Sequence, residues 1–301
     1  MSFIAGAGAT NVDLLYEDMP KIPDAGEEIY TDKFSCQLGG GLPATLINIG
    51  RLGIESKIAT ELGGDMFSAF ASEQYKKNNV EPMNIYKGSS IPLNITSAII
   101  LKDDRSFITY GKGSIEPDDE AKESFYNMAH GAKICLMQPG GFIEVYKKLK
   151  SEGTLMVLDM GWDENMSVEK YSDLLDTADI YTPNRKEALR ITGAANENDA
   201  ADALKKYFDR VIVKVDKDGC IGIDNGERFF VKSVEKFKNK DSTGAGDAFL
   251  AGLCYGLFYD YPLKDCIEFG NITGGKAVTA VGALSAYVTE KELLELKEEN
   301  Y

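Results

Sequence analysis

The feature that most constrains this chain is a glycine-rich segment that runs directly into an apolar one. The two halves read Asp241-Ser242-Thr243-Gly244-Ala245-Gly246-Asp247 and Ala248-Phe249-Leu250-Ala251-Gly252-Leu253-Cys254. The first half is too polar to form a core, whereas the second suits a buried helix. The N-terminus of such a helix presents amides without intrahelical partners and a partial positive charge. Because glycine lets neighbouring amides point at one spot, the segment predicts an anion site.

Asp247 stands at the mouth of this predicted anion site. A bound anion repels a carboxylate, so this position favours a catalytic base that faces a hydroxyl group. The alternative is structural, with Asp247 as an acidic residue in the first turn of a helix and Asp241 as a turn former. Both structural uses are common.

The net charge limits the partners of the chain. At 301 residues and 44% hydrophobic composition, the chain is long enough for one large α/β domain with a small appendage. A net charge of -15 opposes binding to nucleic acid and to anionic membranes. A phosphate-bearing ligand must therefore be held locally, by backbone dipoles, Mg²⁺ and a few lysines.

The cysteines and the single histidine exclude other chemistry. Five cysteines without a Cys-x-x-Cys pair indicate free thiols in a reducing compartment. The chain starts without a basic, apolar leader and contains no 18-residue apolar run, so we expect a cytoplasmic protein. His130 is the only histidine, which argues against histidine-based triads and against zinc.

Short apolar runs alternate with helical patterns along the chain. After a first strand at 2–7, further strands are predicted at 133–138, 155–160, 180–182 and 211–215, with helices such as 143–152 and 198–208 between them. This alternation predicts a mostly parallel sheet. Half-polar strands at 28–36, 94–101 and 106–110 predict a small separate sheet that covers a site.

Two further pairs of polar residues have both a functional and a structural interpretation. Asn11 and Asp13 follow the first strand and suit either a polyol ligand or a local turn. Asn184 and Glu187 share one face of a first helical turn, which suits hydrated Mg²⁺ or a capping box. The stretch 269–276 mimics a Walker A loop but lacks its final Ser/Thr and a preceding strand, so we expect a helix there.

The segment 241–247 with its apolar helix resembles the C-terminal signature of the ribokinase-like (PfkB) sugar kinase family. The glycine run and helix at 39–53 resemble its N-terminal signature. The resemblance implies a three-layer α/β sandwich with a mostly parallel central sheet and a small β-sheet lid. It implies a main domain, formed by 1–10, 39–90 and 114–301, that binds nucleotide and substrate. It also implies that the lid is formed by 11–38 and 91–113.

The resemblance also implies a role for each matching residue in an ATP-dependent transfer of phosphate to a sugar-like hydroxyl. Asp247 is the base, and the backbone of Gly244, Ala245 and Gly246 is the anion hole. The implied substrate-binding residues are Asn11, Asp13, Gly39, Gly40, Gly41 and Asp247. The implied nucleotide-binding residues are Asn184, Lys214, Gly219, Thr243, Gly244, Gly246 and Asn271. Glu187 and Asn184 hold Mg²⁺ through water, and a K⁺ site is implied at Asp241, Thr243, Ala280, Gly282 and Ser285.

The sequence leaves the acceptor and the assembly state open. Ala44 stands where the family usually has a sugar-binding Asn, which changes the hydrogen bonds available to the acceptor. A nucleoside is the second candidate acceptor, with its base against lid residues such as Phe34 or Tyr110. A non-catalytic sugar or nucleotide sensor is the alternative from another class. Lid strands that pair edge to edge would give a homodimer.

Overall fold

The computed structural model describes residues 2–102 and 104–301. The elements in this part of the chain are, in order, β1 (Ile4–Ala7), β2 (Asn11–Glu17), β3 (Lys33–Leu38), α1 (Leu42–Arg51), β4 (Ser56–Thr60), α2 (Met66–Lys77), β5 (Val80–Asn84), β6 (Asn94–Ile100), β7 (Arg105–Tyr110), α3 (Asp119–Ala129), β8 (Ile134–Met137), α4 (Ile143–Ser151), β9 (Leu155–Leu158), α5 (Ser172–Thr177), β10 (Ile180–Tyr181), α6 (Arg185–Thr192), α7 (Glu197–Leu204), β11 (Arg210–Lys214), β12 (Gly219–Asp224), β13 (Glu227–Lys232), α8 (Ala245–Phe258), α9 (Leu263–Ala277) and α10 (Glu290–Asn300).

The central sheet has six parallel strands in the order β10-β9-β8-β1-β4-β5. β1 lies in its interior, with Ile4 opposite Ser56 of β4 and Ile134 of β8. These strands are short and largely apolar, as is usual for parallel strands that are covered on both faces. The predicted mostly parallel central sheet is confirmed.

Alternate residues of the central strands point into two cores, one on each face of the sheet. Ile4 and Ile58 pack with α1, α8 and α9 on one face. Ala5 and Ala59 pack with α3, α4 and α7 on the other. This alternation follows from the two-residue period of a strand, and it produces the three layers of the fold.

β11 differs from its predicted role as a further parallel strand. It pairs antiparallel with β12, which pairs antiparallel with β13. The short turn at 216–218 returns the chain at once, and a parallel connection would need a crossover of a dozen or more residues. One parallel bridge, between Asn184 and Lys214, still joins β11 to the edge of the central sheet.

The lid is a four-stranded sheet in the order β3-β2-β6-β7, in which β2 and β6 run parallel and the other pairs antiparallel. The strand predicted at 28–36 lies later, at 33–38, because pairing with β2 decides its register. Asn11 and Asp13 do follow β1, but they form the beginning of β2. All four strands fall within 11–38 and 91–113, and the division into two domains stays a prediction.

α8 and α9 pack against each other through glycine. A Cβ atom at Gly252 of α8 would lie 2.4 Å from the carbonyl oxygen of Phe269 in α9. The Walker A-like stretch 269–276 lies inside α9, in agreement with the expected helix. None of the helices in the described ranges is long and apolar enough to cross a membrane.

Candidate active site

The predicted anion site is the N-terminus of α8. Gly244 is the N-cap residue and has a positive φ of 76°. A Cβ atom there would lie 2.6 Å from the Cα atom of Ala283, so both the backbone conformation and the space require glycine. No side chain caps this end of the helix. The Ala245 amide donates a 3.3 Å bond to the Ser242 carbonyl, whereas the first-turn position of Gly246 leaves its amide without an intrahelical partner.

Asp247 lies where the two glycine-rich segments meet. Its Oδ2 accepts a hydrogen bond of 2.8 Å from the amide of Gly41, a residue 206 positions away in the sequence. A Cβ atom at Gly40 would lie 2.9 Å from the same oxygen, so glycine at 40 permits this approach. The residues predicted to form the anion site and the N-terminal glycine run therefore lie together.

The environment of Asp247 changes its expected protonation. An ordinary aspartate has a pKa near ~3.9, and such a carboxylate is ionised at neutral pH. Burial raises the pKa of Asp247 to about 7, with a further increase from Asp159, although Gly41 and Lys214 act to lower it. The side chain keeps partial access to solvent. Asp247 is thus poised to exchange a proton near neutral pH.

Asn11 and Asp13 lie against the same glycine run. A Cβ atom at Gly39 would lie 2.7 Å from Oδ1 of Asp13 and 2.8 Å from Cβ of Asn11. Burial raises the pKa of Asp13 to about 6. The Asn11 Oδ1 accepts a 2.7 Å bond from the Asn94 side chain, which leaves the Asn11 amide group to face other partners. The structure thus brings together the six residues predicted to bind substrate.

The inner face of the lid, defined here by Asp13, Thr96, Phe107 and Thr109, faces this site. Cross-strand pairing places Asp13 beside Thr96 and Thr96 beside Thr109, whose hydroxyls are 3.0 Å apart. Phe107 is two residues before Thr109 and shares its face. The outer face carries Phe34, which is paired with Tyr16, and Tyr110. The suggestion that these two residues contact a nucleoside base is therefore wrong, because strand alternation turns them away from Asp13.

A cavity of about 660 Å³ opens on the other side of the anion site. Its volume is in the range of small-molecule and cofactor sites. Of the residues predicted to bind nucleotide, Asn184, Lys214, Gly219, Gly246 and Asn271 line it, whereas Thr243 and Gly244 do not. The Asn271 amide group already donates to the carbonyls of Val231 and Lys232, so it holds β13 against α9. Sequence reasoning missed several lining residues, which include Lys186, Lys217, Val234, Phe237 and Phe249.

Lys214 lines this cavity and lies near several carboxylates. Its Nζ lies 3.5 Å from Oδ1 of Asp159, and a Cβ atom at Gly246 would lie 3.7 Å from the same nitrogen. Burial acts to lower the pKa of Lys214, but Asp159, Glu187 and Asp247 raise it above its ordinary value. Lys214 therefore carries a positive charge beside the anion site. Asp159 was missed because it follows a strand without any surrounding motif.

Asn184 and Glu187 form the capping box of α6. The Asn184 side chain accepts a 3.0 Å bond from the Glu187 amide, and the Glu187 carboxylate accepts a 2.8 Å bond from the Asn184 amide. Burial raises the pKa of Glu187, which is 5% exposed. This is the structural alternative named above, but Asn184 also lines the cavity. A hydrated Mg²⁺ fits beside this pair because oxygen ligands and a buried negative charge are present.

The residues of the expected K⁺ site have other partners. Asp241 accepts hydrogen bonds from Thr243 and from the amide of Gly282, and its Oδ1 lies 2.6 Å from the Arg105 guanidinium. The Ser285 hydroxyl donates to Gln37 of the lid. Ala280 lies in the same loop after α9. Sequence reasoning missed Arg105 because it begins β7, far from 241 in the chain.

Comparison with known proteins agrees with this geometry. The family described as pfkB family carbohydrate kinase matches residues 1–290. An ATP-dependent 6-phosphofructokinase from Thermoanaerobacterium thermosaccharolyticum is 27% identical over 280 residues, which cover 87% of this chain and 85% of that protein. The structure of Arabidopsis thaliana ribokinase complexed with ribose and ATP matches with a TM-score of 0.82 at 23% identity and covers 99% of both chains. A structure from E. coli assigned as ribokinase II, in complex with ATP and Mg²⁺, matches with a TM-score of 0.79 at 20% identity and covers 99% of this chain and 100% of that one.

These findings confirm the ribokinase-like fold and the predicted enzyme class, an ATP-dependent carbohydrate kinase. The family match extends over nearly the whole chain and includes both glycine-rich segments that meet at Asp247. The chain belongs to the pfkB family of carbohydrate kinases.

Proposed function

We propose that this kinase transfers the γ-phosphoryl group of ATP to a hydroxyl group of a small sugar or sugar-like polyol. The observation that carries the proposal is the position of Asp247, between the polar residues of the inner lid face and the amides that begin α8. A carboxylate at that point has the acceptor on one side and the transferred group on the other. The Arabidopsis ribokinase of the same fold is described in complex with ribose and ATP, which supports the two ligand classes.

Asp247 accepts the proton of the attacking hydroxyl in this mechanism. The hydroxyl oxygen forms a bond to the γ-phosphorus, and the bond from that phosphorus to the bridging oxygen of ADP breaks with its electron pair on ADP. A pKa of about 7 matches a general base that works near neutral pH. The Gly246 amide and Lys214 stabilise the negative charge of the phosphoryl group, and such transfers depend mainly on positioning and charge.

Asn184, Glu187 and Asp159 carry the proposed metal function. Mg²⁺, when bound, supplies positive charge that neutralises the phosphates of ATP. In this chain the carboxylates of Glu187 and Asp159 lie near Lys214. Their negative charge would attract a divalent cation to this part of the cavity. K⁺ has no role in this mechanism because Asp241 is already paired with Arg105.

Asn11 and Asp13 are the proposed acceptor ligands, with the glycine backbone at 39–41 beneath them. A partly protonated Asp13 both donates to and accepts from sugar hydroxyls near pH 6, because its pKa is about 6. Ala44 is buried in α1, and its methyl side chain cannot form a hydrogen bond to the acceptor. The acceptor is therefore recognised chiefly from the lid side.

The proposal is tested by measuring ATP consumption against a panel of sugars, sugar acids, sugar phosphates and nucleosides. We expect turnover with a sugar-like acceptor and a loss of about 10² to 10⁴ in kcat for Asp247→Ala. Equal turnover of the wild type and Asp247→Ala on the best acceptor would show that Asp247 is not the catalytic base. A preference for nucleosides would establish the second candidate acceptor, and binding without turnover on any acceptor would establish a sensor.

We also propose that the protein forms a homodimer through the outer face of the lid and acts in the cytoplasm. The outer face carries Phe34, Ile108 and Tyr110, which are 57%, 69% and 54% exposed. These side chains share one face of the four-stranded sheet, and exposed apolar surface of this kind supports an interaction site. All five cysteines are free thiols, which supports a reducing compartment.

A further inference from the structure

Arg105 at the beginning of β7 reaches from the lid to the loop that precedes α8. Its guanidinium nitrogen lies 2.6 Å from Oδ1 of Asp241. The Asp241 side chain is only 10% exposed, whereas that of Arg105 is 41% exposed. A carboxylate so nearly buried needs a positively charged or hydrogen-bonding partner. Asp241 is also the one charged residue in the K⁺ site that the family resemblance implies.

The carboxylate of Asp241 has its Oδ1 crowded by hydrogen-bond donors, one of which is the Arg105 guanidinium. Its Oδ1 accepts from the Thr243 amide at 3.0 Å and from the Thr243 hydroxyl at 2.8 Å, in addition to Arg105. Its Oδ2 accepts from the Gly282 amide at 2.9 Å. Each carboxylate oxygen offers about two lone-pair positions, so three donors crowd Oδ1 and a single donor contacts Oδ2. A monovalent cation at this carboxylate would lie against the Arg105 guanidinium and be repelled by its charge, so the two compete for Asp241.

The pair also links the lid to the anion site. Arg105 and Gln37 are the two lid side chains in these contacts, and Gln37 accepts 3.3 Å hydrogen bonds from the Leu284 amide and the Ser285 hydroxyl. Both contacts end on the loops that carry the expected K⁺ ligands. The same loops support Gly244, whose Cα is packed against Ala283. The lid thus contacts the same loops that hold the backbone of the anion site.

We propose that the guanidinium of Arg105 takes the place of the monovalent cation behind the anion site, so that this kinase does not depend on K⁺ or Na⁺. The inference rests on the proposed function for the role of the anion site. Arg105 is then a positioning residue, because it acts on the transferred phosphoryl group through Asp241 and the loop at 241–247.

The test compares the full chain in KCl and in tetramethylammonium chloride at equal ionic strength, with ATP and Mg²⁺ free of alkali metal ions. The melting temperature is measured in each salt, together with kcat and KM for the best acceptor. Arg105→Ala removes the charge, and Arg105→Lys retains a positive charge. Lys33→Ala is the matched control, because it breaks an ion pair with Asp18 that stays within the lid.

We expect the wild type and Lys33→Ala to behave alike in both salts. We expect Arg105→Ala to lose about 10- to 100-fold in kcat in tetramethylammonium, and K⁺ to restore activity and raise the melting temperature along a saturable curve. Arg105→Lys should recover much of the activity without K⁺. A wild type whose melting temperature or kcat rises saturably with K⁺ would overturn the proposal, and so would a folded Arg105→Ala that is fully active without K⁺ or inactive in both salts. The melting curves need no turnover, so they remain decisive even if no acceptor is found.

Discussion

Single residues in this site take their properties from their surroundings rather than from their type. Asp247 lies in the first turn of α8 and Asp13 lies in β2, and burial raises their pKa to about 7 and about 6. Asp241 differs because the amides of Gly282 and Thr243 and the charge of Arg105 outweigh its burial and lower its pKa. Three aspartates in one site are thus prepared for different protonation states at neutral pH.

The pH dependence of activity should report Asp247. A base must be deprotonated, so kcat/KM is expected to rise with pH and to level off above an apparent pKa of about 7. The measurement is a kcat/KM profile from about pH 5 to about pH 9 with the best acceptor. Asp13 contributes a second, lower transition near pH 6 if its ionised form also binds the acceptor. A profile that is flat between these limits would contradict a base with a raised pKa.

Stability should depend on pH in the opposite direction. Between about pH 4 and pH 7 the folded protein keeps a proton on Asp247 that the unfolded chain has released, so stability falls as pH rises through this window. Asp247→Asn keeps an acceptor for the Gly41 amide but removes the charge. We expect the variant to be more stable than the wild type at pH 8 by on the order of 1 kcal/mol, since the side chain is partly solvent-accessible, and nearly equal at pH 4. Urea denaturation at both pH values checks this, and a variant that is less stable at pH 8 would contradict it.

At the level of secondary structure elements, the beginnings of two helices carry the site. α8 begins without a side-chain cap and leaves its end open for an anion, whereas α6 begins with a complete capping box. The capping box means that Glu187 has a structural role whether or not it also serves a metal. One substitution separates the two roles.

Glu187→Gln keeps an oxygen that accepts from the Asn184 amide but removes the negative charge. We expect stability to change by less than about 1 kcal/mol, while activity falls about 10- to 100-fold and needs more Mg²⁺. The measurement pairs thermal melts with Mg²⁺ titrations of kcat. Glu187→Ala is the companion variant, which loses the cap as well and should also be less stable by ~1 kcal/mol. Full activity of Glu187→Gln at low Mg²⁺ would leave Glu187 with the capping role only.

At the level of the whole molecule, the lid uses its two faces differently. The inner face carries Asp13, Phe107 and Thr109 on the side of the candidate active site, and Arg105 of the same face contacts Asp241 in the loop before α8. The outer face presents apolar side chains to solvent. The two-residue period of a strand allows one short sheet to present one face to the candidate site and an apolar face to solvent.

The proposed dimer should dissociate when a charge enters the outer face. Ile108→Asp changes a side chain that is 69% exposed, so the fold of the single chain should tolerate it. We expect sedimentation velocity to show a dimer for the wild type and a monomer for this variant. Leu294→Asp, on the 37% exposed side chain in α10, is the control and should remain dimeric. A monomeric wild type at the concentrations used for activity would contradict the proposal.

Much of the fold and part of the site could be predicted because their signals are local. Glycine at 244 and 246 before an apolar run indicates a turn and a buried helix from a dozen adjacent residues. The apolar runs that correspond to β8, β9 and β10 likewise predict buried parallel strands. The structure of β11 was not predictable in this way, because a short turn and the pairing with β12 outweighed the pattern within the strand itself.

The sequence by itself determined that a glycine-rich turn precedes α8, that an aspartate follows it, and that a mostly parallel sheet supports both. Only the tertiary structure decided that the Gly41 amide meets Asp247, that Arg105 meets Asp241, and that Phe34 and Tyr110 turn away from the site. The physical reason is the separation along the chain of the residues that decide each property. Backbone conformation and helix ends depend on neighbours within a few residues, whereas burial, pKa and ion pairing depend on atoms that packing brings together from distant parts of the chain.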